Sequence, residues 1–239
     1  MTATIVRADQ RFLTDLGWLE SHHCFNFGSH YDPRHASHGQ LLVSNDDVVA
    51  PGGGFGEHGH RDMEIVSWVL EGSLAHTDSQ GNKQLLHPGV IQRMSAGTGI
   101  RHAEMNGSDS EPVHFLQMWV VPDTLGIEPD YEELDVNDRL VPGELVVVAS
   151  GQPVPGAIGL RQRDAEMSVV RLVAGQQVSV AAAAFTHVYA ARGTAEVSFA
   201  GQADTLSVGD ALRLTDQDVT LVGGNDLSEI VIWKTGPIS

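Results

Sequence analysis

The chain has 239 residues, enough for one large domain or two of roughly 100–120 residues, and its 41% hydrophobic and 19% charged residues mark a folded globular protein rather than a disordered one. With 31 acidic against 14 basic side chains, the net charge of -17 argues against direct nucleic-acid binding and against docking on anionic membranes. One cysteine, Cys24, excludes an intrachain disulfide and a thiolate zinc cluster, and the missing signal-peptide pattern and membrane-length apolar run lead us to expect a cytoplasmic protein.

Residues 4–7 read as a short strand, residues 21–27 alternate weakly, and Tyr31-Asp32-Pro33 marks a turn. Residues 40–44 form the next expected strand, with a turn or bend at Asn45-Asp46-Asp47 and an extended piece over 48–50. Gly52-Gly53-Gly54 invites a phosphate-loop reading. No Lys-Ser/Thr follows and the next segment is β-like, so a wide turn before a strand over 57–64 is the better account. Residues 64–70 are rich in β-branched and aromatic types and predict a strand ended by Glu71-Gly72. Residues 74–78, 84–86, 90–94 and 113–121 continue the series, separated by turn signals at 79–82, 88–89 and 96–99. Residues 123–143 look like an acidic connector, after which β-like segments return at 145–149, 167–172, 178–185 and 188–191. Short strands at this spacing predict an all-β antiparallel barrel or sandwich.

The second half echoes the first. Gly72 and Gly89 lie 17 residues apart, Gly193 and Gly209 lie 16 apart, and the offset of about 120 residues suits a duplicated barrel. In that register His58 and His60 correspond to Ser179 and Ala181, and His102 and Glu104 correspond to Val222 and Gly224. His187 is the second half's only histidine, so any metal site belongs to the first half.

Strand alternation points His58 and His60 the same way and puts His102 and Glu104 on one face of another segment. Three imidazoles and a carboxylate would leave an octahedral ion two open positions, more like the facial iron sites of oxygenases than a closed zinc site. Taken alone, His-X-His in a chain of 12 histidines is weak; the wider spacing strengthens it. Gly52, His58, His60, Glu64 and Gly72 nearly reproduce the first cupin motif, and Gly97, His102 and Asn106 approximate the second. The spacing departs by one residue before Gly72 and by two between Gly97 and His102, where the usual proline is absent.

At a finer level the chain resembles the pirin family, including bacterial pirin-like quercetin 2,3-dioxygenases. The likeness is carried by Gly17-Trp18-Leu19, by residues 21–27, by Tyr31-Asp32-Pro33, by Asn45-Asp46-Asp47, by residues 54–64, by residues 94–104, and by Gln117-Met118-Trp119 with Pro122. It implies a bicupin of two jelly-roll barrels with few short helices, residues 1–135 carrying the metal site and residues 136–239 lacking ligands. It also implies His58, His60, His102 and Glu104 as ligands of one divalent ion, expected to be iron(II), with copper, nickel, manganese or zinc as alternatives. Glu104 would double as the catalytic base. General cupins use the first-motif glutamate, here Glu64, which this reading makes a supporting acid instead.

The implied activity is opening of a flavonol ring with O2 and release of carbon monoxide, on a small aromatic, flavonol-like substrate. Phe27, Phe55, Met94 and Met118 are candidate walls for it. The alternative is a non-enzymatic metal- or redox-responsive protein acting on a protein partner, with acidic residues 128–135 as one surface for it. Cys24 reads as a buried, inert thiol.

Overall fold

The computed structural model describes residues 2–238, which form twenty-two strands and three 3-10 turns. The all-β expectation holds, and no helix is long and apolar enough to cross a membrane among these residues. One seven-stranded sheet runs Asp130–Asp135, Val90–Ser95, Glu64–Glu71, Val113–Val120, Leu41–Val49, Leu19–His23, Phe12–Asp15. It is partnered by a four-stranded sheet ordered Gly54–His60, Ile100–Asn106, Leu74–Asp78, Lys83–Leu86. The second half repeats the plan, with Phe185–Arg192 and Ser228–Thr235 central in its seven-stranded sheet and Gln177–Ala183 heading its four-stranded one.

Strand alternation assigns each side chain a layer. Along Glu64–Glu71, Val66, Trp68 and Leu70 join a core between the two large sheets that also holds Phe25, Met118, Val148, Tyr189 and Trp233. The alternate residues Ile65, Ser67 and Val69 face the first barrel's interior. Both faces are buried, which explains the unbroken apolar run. The second barrel is filled by Val180, Val197, Leu212, Leu214, Leu221 and Ile230, leaving its interior apolar. The first barrel instead buries His76, His102, Glu104, Ser67 and Gln117, and this asymmetry positions the site.

Several local expectations are corrected. Asn45-Asp46-Asp47 is no bend but the middle of the nine-residue strand Leu41–Val49. Asp47 accepts a hydrogen bond from Ser21, while Asp46 accepts from Tyr189, from Arg11 at 3.2 Å and from His114 at 2.5 Å, so these polar residues are buried by partners far along the chain. The strand expected over 57–64 is two strands, broken between His60 and Glu64 where Asp62 takes a φ of 50°. Within the acidic connector, Asp130–Asp135 pairs with Val90–Ser95, and Arg93 bonds Asp130 at 2.9 Å. Thr2–Val6 pairs with Ala211–Thr215 and thus joins the sheet of the second half.

Candidate metal centre

Gly54–His60 and Ile100–Asn106 are antiparallel neighbours, with His58 opposite His102 and Phe55 opposite Glu104. One extra residue on the Gly54–His60 side bulges the ladder between these pairs, a device that re-aims side chains beside sites. Gly54, at φ 150°, is required by close approach: a Cβ there would lie 2.5 Å from the Cα of Met105.

His58, His60 and His102 converge, each offering a ring nitrogen within 4.8 Å of the others. Nε2 of His58 stands 3.1 Å from Nε2 of His102, while Nδ1 of His58 donates to the Gly56 carbonyl at 2.8 Å, leaving the His58 Nε2 lone pair to face the cluster. Burial, with the repulsion that a second charged ring at His58 would bring, lowers His60 to about 4; burial, with the same repulsion from His58, His60 and His76, lowers His102 to about 3. Both imidazoles are therefore neutral at physiological pH, the form that binds metal. His102 also keeps a buried Nδ1 with no partner.

Glu104 is buried and belongs to a second, overlapping triplet with His76 and His102. Its oxygens accept from Ser67 Oγ at 3.2 Å and Gln117 Nε2 at 2.5 Å. The indole of Trp119 donates to Gln117 Oε1 at 3.1 Å; because an indole is only a donor, this fixes the amide so that its NH2 faces Glu104. Burial, against the bonds from Ser67 and Gln117, raises the Glu104 carboxyl to about 7. The structure thus gathers three of the four expected ligands in one triplet and sets the fourth, Glu104, beside His102 in the next. These donors fit a divalent ion, since they offer neutral nitrogens and a carboxylate from rigid strands.

Glu64 stands apart from both triplets. It accepts from the backbone N–H of Arg161 at 3.0 Å and ties the two halves together. His76 went unnoticed in the sequence, although the alternation Leu74, His76, Asp78 marks it as facing inward opposite Glu104. Its Nε2 lies 3.2 Å from Asp78.

A cavity of about 560 Å³ opens beside the imidazoles, bordered by Trp18, Phe27, Phe55, His60, Glu104 and Trp119. Phe27 and Phe55 are walls as expected, but Met94 and Met118 are not. Met94 packs with Ile65, Ala96 and Ile100, and Met118 faces the core between the halves, its sulfur 3.1 Å from the Trp233 indole nitrogen. Alternation puts Gln117 and Trp119 on the cavity side and Met118 on the other. Cys24 is buried and its thiol is pushed up by burial, as an inert thiol should be.

Two barrels built almost wholly of antiparallel pairs, one with an apolar interior and one holding a histidine cluster beside a cavity, define a bicupin. The chain belongs to the pirin family, whose model matches residues 6–120. It is 48% identical over 239 residues to Rv0181c of Mycobacterium tuberculosis, covering 98% of this chain and 96% of that one. It is 36% identical over 232 residues to quercetin 2,3-dioxygenase of Escherichia coli K12, covering 97% and 98%. The crystal structure of the Escherichia coli bacterial pirin YhhW in complex with nickel(II) superposes with a TM-score of 0.89 at 34% identity, covering 99% of this chain and 100% of that one.

Proposed function

We propose that the chain is a metal-dependent dioxygenase that opens the central ring of a flavonol such as quercetin with O2, releasing carbon monoxide. The observation that carries this reading is that His58, His60 and His102 converge while the buried Glu104, grouped with His102, shares the wall of an aromatic-lined cavity with His58 and His60. The names of the relatives support it: the Escherichia coli protein is called quercetin 2,3-dioxygenase, and YhhW holds nickel(II).

His58, His60, His102 and Glu104 would hold one divalent ion, iron(II) on our reading. When bound, the ion supplies Lewis acidity toward the flavonol hydroxyl and redox chemistry with dioxygen. The chain's own residues do the rest. Phe27, Phe55 and Trp119 offer faces and edges to a planar aromatic and exclude water from it. Glu104, a carboxylate once the ion is held, borders the cavity and is suited to take the 3-hydroxyl proton and return it to the product. Gln117, locked by Trp119, keeps that carboxylate aimed.

The test is O2 uptake and loss of quercetin absorbance by protein loaded in turn with iron(II), nickel(II), copper(II), manganese(II) and zinc(II). Turnover with at least one ion, abolished in Glu104→Gln, is expected. No turnover with any ion and any flavonol would sink the enzymatic reading and leave the interaction protein in its place.

A further inference from the structure

A second cavity, of about 370 Å³ and sharing no lining residue with the first, lies between residues 34–38 and the ladder of Thr2–Val6 with Ala211–Thr215. In this ladder Thr2 pairs with Thr215 and Thr4 with Arg213, so alternation puts all four on one face, while Leu212 and Leu214 fill the second barrel from the other. Ser37 and His38 close the opposite wall.

Arg213 is the unusual member. It is only 6% exposed, yet no ion-pair partner is found for it among the described residues. It donates to the Cys24 carbonyl and stacks over Phe25, its central carbon 4.2 Å from the ring centroid, but its Nε has no partner. Burial without a carboxylate pulls its pKa down, although a guanidinium stays charged at neutral pH. Its neighbours do not offset the charge. Burial lowers His35, His38 and His187, which keeps them neutral, and Arg34 is already matched by Asp32 at 2.7 Å. One positive charge is therefore left at the base of a hydroxyl-rich cavity in a chain of net charge -17. A buried charge without a counter-charge is costly, and an anion is what the site lacks.

We propose that this cavity binds a small, singly charged oxyanion, a monocarboxylate or a monobasic phosphate, through Arg213 with the hydroxyls of Ser37 and Thr215. The guanidinium offers the charge and the planar fork, and the hydroxyls donate to the remaining oxygens.

The test is calorimetric titration of the metal-loaded full chain with inorganic phosphate and, separately, with acetate, at ionic strength held constant with chloride. Saturable binding of at least one anion at millimolar concentration is expected, and the arm that responds identifies phosphate or carboxylate as the ligand chemistry. Ser37→Ala and Thr215→Val should each weaken it about three- to tenfold, and Arg213→Met should abolish it. Because Arg213 also packs on Phe25, the two milder variants carry the test if Arg213→Met fails to fold. His58→Ala should leave anion binding unchanged. Failure of both anions to bind, binding that survives both hydroxyl variants, or binding lost in His58→Ala would each overturn the proposal.

Discussion

His58 and His102 are paired residues of neighbouring strands, and their Nε2 atoms stand 3.1 Å apart inside the first barrel. Two imidazole nitrogens this close share either a proton or a cation. His102→Ala should therefore cut bound metal, measured by elemental analysis after equilibration with one equivalent of iron(II), from near one ion per chain to a small fraction. The affinity loss should exceed about 100-fold, more than outer-sphere partners contribute. Unchanged metal content would remove His102 from the ligand set.

Glu104 and Glu64 are both buried carboxylates but have different neighbours. Glu104→Gln should weaken metal binding and abolish flavonol turnover. Glu64→Gln should keep the ion while losing about 1 kcal/mol of stability in urea denaturation, because it weakens the bonds to the Arg161 N–H and to Ser95 and the attraction to Arg93, none of which involves the imidazoles. Metal loss confined to the Glu64 variant would reverse the assignment.

The raised carboxyl of Glu104 makes metal binding proton-linked. Without metal it holds its proton from the ordinary value of 4.5 up to about 7, so its contribution to stability is complete below 4.5 and is lost as pH rises through about 7. Metal must displace that proton. Calorimetry in buffers of different ionisation heat should show about one more proton released per ion near pH 6 than near pH 8. The difference should vanish in Glu104→Gln.

Trp119 reaches Glu104 through Gln117 and also packs edge-on against His60, their ring centroids 4.9 Å apart. Trp119→Phe keeps most of the ring but removes the indole donor that fixes the Gln117 amide. Metal affinity should fall about tenfold with the fold intact by circular dichroism. An unchanged affinity would show that the amide needs no anchor.

Asp46 joins the two halves through Tyr189 and Arg11. Burial pushes its carboxyl up, but hydrogen bonding and charge from His114, with Arg11 and Tyr189, win and lower it to about 2. The contribution is thus present above the ordinary value of 3.8 and lost as pH falls through about 2. Asp46→Asn should cost about 2 kcal/mol at neutral pH in urea denaturation, and the gap should close as pH falls from 4 toward 2.

The sequence exposed the site better than its surroundings. Strand alternation is local and needs only the spacing of residues, so it set His58 with His60 and His102 with Glu104 on common faces, while the preference for Glu104 over Glu64 came from the resemblance to the pirin family. Glycine spacing revealed the repeat for the same reason, and the equivalents of His58 and His60 do lie on the matching strand Gln177–Ala183. What failed depended on distant partners. Asp46 and Asp47 looked like turn residues because their partners, Tyr189 and Ser21, are 143 and 26 positions away. Met94 and Met118 looked like cavity walls because hydrophobicity alone does not say which of two buried faces a residue occupies. Arg213 gave no signal, since a missing counter-charge shows only after folding.

The pairing of Thr2–Val6 with Ala211–Thr215 sets a timetable for synthesis. The first strand leaves the ribosome about 200 residues before its partner, a wait on the order of 10–40 s at about 5–20 residues per second. The histidine cluster can assemble early, because all its strands fall between Gly54 and Asn106. The cavity floored by Arg213 is finished only when the last strands arrive and the leading segment is clasped.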